Sequence, residues 1–250
     1  VLLLCLDSSA AASVAVVDTD AGSPRVLASW ETPDTRAHAE VLAPAVDTVL
    51  DRAQVAPGGL GGVLVGTGPG PFTGLRAGLA TARTLAFAWR LPCYGMCSLA
   101  AIAHVVARLP AASRPPQFVV ASDARRREVY WAVYSASSDL HASSADPAGV
   151  QSARLIDGPF VGPAEDVPGL PVFGRGAGLY ADRLRQPVKE VVPGALQTGS
   201  PAEWQPHAGF LGLAAAATVN AGGTLSQDTA PLYLRESDAK VPGPRKKATA

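Results

Sequence analysis

Gly66-Thr-Gly-Pro-Gly-Pro-Phe-Thr-Gly-Leu-Arg76 decides how the rest of this chain is read. It places four glycines and two prolines between a strand-like run, Gly62–Val65, and an apolar helix-like run, Thr73–Trp89. Glycine permits positive φ and close backbone approach, while proline fixes φ and removes a donor. The result is a stiff, bare loop, with Thr73 expected to cap the following helix. Such an edge either holds an anion or another backbone at the helix N-terminus, or is simply a tight turn. It is not a Walker loop, because no Lys-Ser/Thr follows the last glycine. The spacing Gly66-Thr-Gly68-Pro-Gly70 is not a dinucleotide fingerprint either.

Upstream, Leu2–Leu6, Ser13–Val17 and Arg25–Trp30 read as three strands. A helix over His38–Ala53 follows, with Leu42, Val46 and Val49 on one apolar face and Pro44 expected to bend or break it. Downstream come a strand, Cys93–Met96, and a helix, Ser98–Arg108. The order β-β-β-α-β-α-β-α resembles the ribonuclease-H-like lobe that occurs twice in the actin, Hsp70 and sugar-kinase (ASKHA) superfamily. The expected fold class is therefore α/β with two such lobes, the first over residues 1–109. Pro110–Pro116 punctuates the chain, and 110–207 forms the second lobe, read as reduced. There, Phe118–Ser122 and Val129–Tyr134 pair around Asp123-Ala-Arg-Arg-Arg127, and 137–170 reads as loop. Pro171–Phe173 is a short strand, and the glycine turn Gly174–Gly178 leads into a helix over Leu179–Arg185. A small-residue helix within 208–222 is expected to fold back on the first lobe, and the tail 236–250 to be disordered.

A chain of 250 residues suits one or two domains at roughly 150 residues each. Twenty-one basic and 21 acidic residues give zero formal charge, so no general nucleic-acid surface is advertised. Cys5, Cys93 and Cys97 form no CxxC pair and read as buried free thiols. The opening Val1–Leu6 run is short, lacks a basic flank and stops at Asp7, so no signal peptide is expected. No apolar run reaches the ~18 residues of a membrane helix. The expected location is the cytoplasm, with no membrane partner. His38, His104, His141 and His207 form no HxxxH or HExxH, so no metal site is expected. No GxSxG elbow or Cys–His pairing offers a nucleophile, and no residue is assigned a catalytic role.

Two candidate sites emerge. Asp7-Ser8-Ser9 follows the first strand where sugar kinases and actins carry a phosphate-binding hairpin. With Gly68 and Gly70 it forms a candidate nucleotide or phosphate loop; alternatively Asp7 caps the strand and the serines bond the turn. No second acidic hairpin matches it in the other lobe. The second site is the helix Thr73–Trp89, apolar or small nearly all round except for Arg76 and Arg83. Such a helix should be buried on more than one side. Gly74 and Gly78, one turn apart, admit another helix closely. A partner, or the chain's own C-terminal helix, would cover it. Arg125-Arg126-Arg127 reads as a solvated turn that could touch phosphates.

Four stretches resemble one family. Leu4-Cys-Leu-Asp-Ser-Ser9 through Val16 is similar to its opening hairpin. Val65–Gly78 resembles its GxGPGSFTGxRxG motif, with Pro71 where serine is usual. Asp123–Trp131 resembles its DARxxEVYW segment, and Pro231-Leu-Tyr-Leu-Arg235 its closing P-x-YLR. On these motifs the chain is identified as a member of the TsaB (YeaZ) family, over about residues 2–235, with 137–170 matching poorly.

The resemblance implies a non-catalytic subunit of tRNA threonylcarbamoyladenosine synthesis. Such proteins are relatives of TsaD, the transferase that modifies the adenosine beside the anticodon in ANN-decoding tRNAs. TsaD holds a metal through an HxxxH pair; the comparable Ser98-Leu-Ala-Ala-Ile102 lacks both ligands. The implied interface residues are His38, Leu42, Val46, Thr73, Gly74, Arg76, Ala77, Gly78 and Thr81. They would meet a TsaD-like paralogue, or a second copy of the chain as a homodimer. A TsaE-like ATPase joins the family's complex, tRNA is met indirectly, and ATP and Mg²⁺ enter at the level of the complex, with no cofactor for this chain alone. Gly78→Arg is expected to leave a folded monomer that no longer associates. The alternative is a stand-alone ATP-dependent phosphotransferase of the same superfamily.

Overall fold

Apolar residues that alternate along the first strands separate onto the two sides of one sheet, and those sides acquire different helices. The computed structural model describes residues 1–20, 22–32, 38–138 and 151–235. The expected disorder of 236–250 lies outside them. The first sheet contains β1 (Leu2–Asp7), β2 (Ser13–Asp18), β3 (Arg25–Glu31), β4 (Gly62–Gly66) and β5 (Cys93–Met96), in the order β3-β2-β1-β4-β5. β1, β2 and β3 are antiparallel, whereas β1, β4 and β5 run parallel. Leu4, Leu6, Val14, Val16, Val63 and Val65 face α1 (His38–Ala53) and α2 (Phe72–Trp89). Their sequence neighbours Leu3, Cys5, Ala15, Val17 and Leu64 face the opposite way. That side is covered by α3 (Leu99–Ala107) and α5 (Ala208–Asn220). The two-residue period of a strand thus sorts one sequence into two cores. α1 runs without interruption through Pro44, whose carbonyl accepts a hydrogen bond from Thr48 Oγ1 at 2.8 Å.

α3 belongs to both lobes. Its Ala101 packs on the first sheet, while Leu99, Ile102, Val105 and Val106 join Phe118, Phe173 and Trp204 of the second core. The second sheet orders β6 (Gln117–Asp123), β7 (Glu128–Ser138), β8 (Gln151–Pro163) and β9 (Val172–Phe173) as β8-β7-β6-β9. The loop expected over 137–170 is therefore wrong for β8, a strand of 13 residues pairing with β7. Gly158, Pro159 and Pro163 give it the composition of a loop. An edge strand tolerates proline because one side needs no ladder partner. β7 and β8 are long, but the second lobe is still the smaller one, with four strands against five, a two-residue β9 and a five-residue α4.

The helix expected over Leu179–Arg185 is also corrected. The glycine run itself forms α4 (Arg175–Leu179), with Gly174 at its N-cap and φ +97°. Gly176 and Gly178 bring this helix against Ala121 and Ala202, where a Cβ would overlap. After α5, which itself packs on the first sheet, the chain continues along the first lobe. Gly95 N donates to Ser226 O at 2.9 Å and Leu232 N to Thr67 O at 2.8 Å, so 226–235 runs as a strap beside β5 and α2.

Candidate functional site

β4 ends at Gly66 beside the Asp7 carboxyl group and the Ser98 hydroxyl, which occupy the space a Cβ would need. Gly70 lies equally close to the Ser9 backbone. Gly68 N donates to Ser98 Oγ at 3.1 Å, and Ser98 N donates back to Gly68 O at 2.7 Å. Asp7 Oδ1 accepts hydrogen bonds from Ser9 N (2.9 Å) and Ser9 Oγ (2.7 Å). Its Oδ2 is buried without a partner among the described residues. Burial raises the Asp7 pKa above the ordinary carboxylate value. The structure thus brings Asp7, Ser8, Ser9, Gly68 and Gly70 together, but against one another. Asp7, Ser8 and Ser9 are 0, 1 and 5 % exposed, and protein fills the space beside the glycines.

The helix pair tells a different story from the one expected. Leu42 and Val46 are buried in the core under the sheet rather than on an outer face. Gly74 O accepts a hydrogen bond from Ser8 Oγ at 2.8 Å, and a Cβ on Gly78 would overlap that same hydroxyl. The glycine notch therefore receives the β1–β2 turn of its own chain. This corrects the placing of Leu42, Val46, Gly74 and Gly78 on a free surface, and the expectation that Gly78→Arg leaves the fold intact. Thr73 and Arg76 are exposed, Ala77 and Thr81 half-buried. Thr73 is not the cap: α2 starts at Phe72, with Pro71 at the N-cap position and no side-chain cap. The His38 side chain lies outside the described residues, although the backbone of α1 begins there.

The outward face of α2 consists instead of Ala80, Thr84, Phe87 and Ala88, all exposed, with Phe87 86 % exposed. Alongside run the exposed Ala43, Pro44, Asp47 and Asp51 of α1. Sequence reasoning missed these residues, although positions 80, 84, 87 and 88 share one helical face. α5 does not cover them, since it packs on the other side of the sheet. The strap takes the remaining edge of α2. Arg76 Nε donates to Tyr233 Oη at 2.8 Å, with its guanidinium 3.6 Å above the Phe72 ring. Phe72 and Tyr233 stack at 4.9 Å, and Arg83 donates to Thr229 Oγ1 (2.8 Å) and Thr229 O (2.6 Å). The arginine stripe is thereby assigned to the strap, and Arg235 pairs with Glu128 of the second lobe.

That pairing leads to the β6–β7 turn. Arg125, Arg126 and Arg127 take φ of 61°, 54° and 63°, a left-handed run that non-glycine residues rarely adopt. Asp123 braces it, accepting from Arg125 N at 2.8 Å and from Tyr180 Oη at 3.3 Å. Among the described residues, no three His, Cys, Asp or Glu side chains gather as a metal site. Nor is any described helix long and apolar enough to cross a membrane.

An antiparallel β1–β2–β3 unit continued by parallel β4 and β5, with helices on both faces, is a ribonuclease-H-like lobe. The chain is an α/β protein of that ASKHA-like class. A family model described as "TsaD: tRNA N6-adenosine threonylcarbamoyltransferase" matches residues 26–170. An uncharacterized protein of Mycobacterium tuberculosis is 38% identical over 216 residues, covering 86% of this chain and 83% of that protein. The solved structure of YeaZ from Pseudomonas aeruginosa superimposes with TM-score 0.67 at 31% identity, covering 93% of this chain and 99% of that one. The Escherichia coli tRNA threonylcarbamoyladenosine biosynthesis protein TsaB is 35% identical over 99 residues, 40% of this chain and 42% of its own length. The chain belongs to the TsaB (YeaZ) family.

Proposed function

We propose that this protein takes part in tRNA threonylcarbamoyladenosine synthesis as a non-catalytic subunit that supports a TsaD-type transferase acting on ANN-decoding tRNAs. The observation that carries this reading is the α1–α2 layer: it covers its own sheet, yet leaves Ala80, Thr84, Ala88 and an 86 % exposed Phe87 outward. An apolar patch of this kind marks a protein interface. Its partner is a TsaD-like paralogue, with a second copy of the chain as the alternative occupant in isolation. A TsaE-like ATPase, tRNA, ATP and Mg²⁺ enter through the assembled complex. The stand-alone phosphotransferase reading loses support because Asp7, Ser8 and Ser9 are turned into protein.

Sedimentation velocity of this chain mixed with the TsaD-type protein of its own source tests the proposal. The wild type should co-sediment as a heteromer, and Phe87→Glu should sediment as a folded monomer. Unimpaired association of Phe87→Glu rejects the α2 face as the contact. Tight Mg-ATP binding by the lone chain in calorimetry would favour the phosphotransferase.

A further inference from the structure

The β6–β7 hairpin closes at the pair Asp123–Val129 and carries Arg125, Arg126 and Arg127 at its tip, all exposed. Their left-handed backbone is unfavourable for a residue with a Cβ, and glycine, asparagine or aspartate would close the turn with less strain. Strained residues persist where surrounding contacts over-determine them, and they gather at functional sites. Here the bracing is visible. Arg125 Nη1 lies 3.3 Å from Asp123 Oδ2, Glu128 N donates to Arg125 O at 3.0 Å, and Arg183 Nη1 donates to Arg127 O at 3.2 Å. The carboxylates bonded into this framework are themselves engaged: Asp123 by Arg125 and Tyr180, Glu128 by Arg235, and Glu165 by Arg183. They oppose an approaching anion less than free carboxylates would.

We propose that this turn grips the sugar–phosphate backbone of an RNA, which on the function proposed above is the tRNA held by the assembled complex; the inference rests on that reading. Charge selects the class. Guanidinium groups match phosphate oxygens, and three of them on one exposed turn suit a ligand that carries phosphates in series. Residues 124–128 include no aromatic side chain to stack on a base, so the contact is to the backbone and carries no sequence preference. The chain has zero formal charge, so the attraction is local to the turn. Arg235 brings the strap to Glu128, and the sequence after it adds Lys240, Arg245, Lys246 and Lys247, outside the described residues. The turn belongs to the second lobe, whereas the docking face proposed above lies on α1 and α2 of the first, so RNA and partner need not compete.

Glycine suits the left-handed backbone, so Arg126→Gly combined with Arg127→Gly removes two charges without straining the turn. Should that variant not fold, Arg126→Gln combined with Arg127→Gln serves instead. Fluorescence anisotropy of an unmodified tRNA transcript, titrated with the chain and its TsaD-type partner at roughly 50 to 200 mM salt, reads the effect. The glycine pair should weaken binding about tenfold at the lowest salt and reduce the slope of log affinity against log salt by roughly 1 to 2. Arg126→Lys combined with Arg127→Lys should keep most of both, because a point charge still serves a phosphate. In sedimentation, every variant should assemble with the partner as the wild type does. An assembled wild type that binds the transcript no better than the glycine pair, or a lysine pair as weak as the glycine pair, overturns the inference and leaves the reading of function standing. So does a loss confined to partner assembly, which would make the turn a protein contact. A wild-type chain that neither assembles nor binds the transcript overturns both.

Discussion

The first sheet carries two helical layers that its own chain treats differently. On one side, α3 is buried along nearly its whole length, because the sheet lies beneath it and the second lobe lies above. On the other, α2 buries Leu75, Leu79, Ala82 and Ala86 against the sheet and lends its edge to the strap, but Ala80, Thr84, Phe87 and Ala88 face outward. Both helices are rich in small and apolar residues. What separates them is how much of the chain returns to cover each. An apolar helix covered twice is a core element, and one covered once leaves an exposed face, the feature on which the docking proposal rests.

The sharpest way to break this contrast is to overfill the inward side of α2. Gly78→Arg should abolish cooperative folding, since any side chain there overlaps Ser8 and a guanidinium would be buried without a partner. Circular dichroism with thermal melting would show this. A well-folded Gly78→Arg protein would mean that α2 faces the other way.

On the α3 side, acid is the probe. His104 is held at about 4 against an ordinary 6.5, so the unfolded chain gains a proton at a higher pH than the folded one. Its penalty is absent above the unfolded value, grows as pH falls through 6.5, and saturates below about 4. Over that window, His104→Leu should remove roughly 3 kcal/mol of acid destabilisation, read as denaturant midpoints at several pH values. Asp7 runs the opposite way. Its folded pKa is raised, so the cost of its buried charge is full at neutral pH and vanishes as pH falls through that value to below the unfolded pKa. Asp7→Asn should therefore stabilise at pH 7, by about 1–2 kcal/mol for a buried group still accepting from Ser9, with the gain disappearing near pH 4. An advantage that grows with acid would show that Asp7 is a favourably paired anion.

The strap should give the smallest effect. Tyr233→Ala removes a ring stack and the acceptor for Arg76, worth about 1 kcal/mol together at a partly exposed site. Amide exchange should accelerate over Thr229–Arg235 while the melting temperature moves only a few degrees. An unchanged exchange rate there would remove the strap from the covering of α2.

Most of the first lobe was legible because strand and helix periods are strong signals: Leu2–Asp7, Gly62–Gly66, His38–Ala53 and Phe72–Trp89 lie where alternation and helical spacing put them. The facing of α2 was not legible. A helix apolar on several sides does not say which side its own sheet takes, and Gly74 and Gly78 suit a tight turn of the same chain as well as a foreign helix. β8 was hidden by Gly158, Pro159 and Pro163, which an edge strand accepts. α4 was hidden by its glycines, which serve close contact with Ala121 and Ala202 rather than a turn. Arg76 and Arg83 gave no hint of the strap, because their partners lie some 150 residues away, at Thr229 and Tyr233.

Hydrogen–deuterium exchange on the chain alone and on the chain mixed with a TsaD-type protein weighs the two helical layers directly against each other. Slowed exchange in α1 and in the Ala80–Trp89 half of α2, with α3 and α5 unchanged, is the predicted outcome. Protection that appears on α5 or β8 while α1 and α2 stay as they were would contradict the assignment of the bare layer as the docking face.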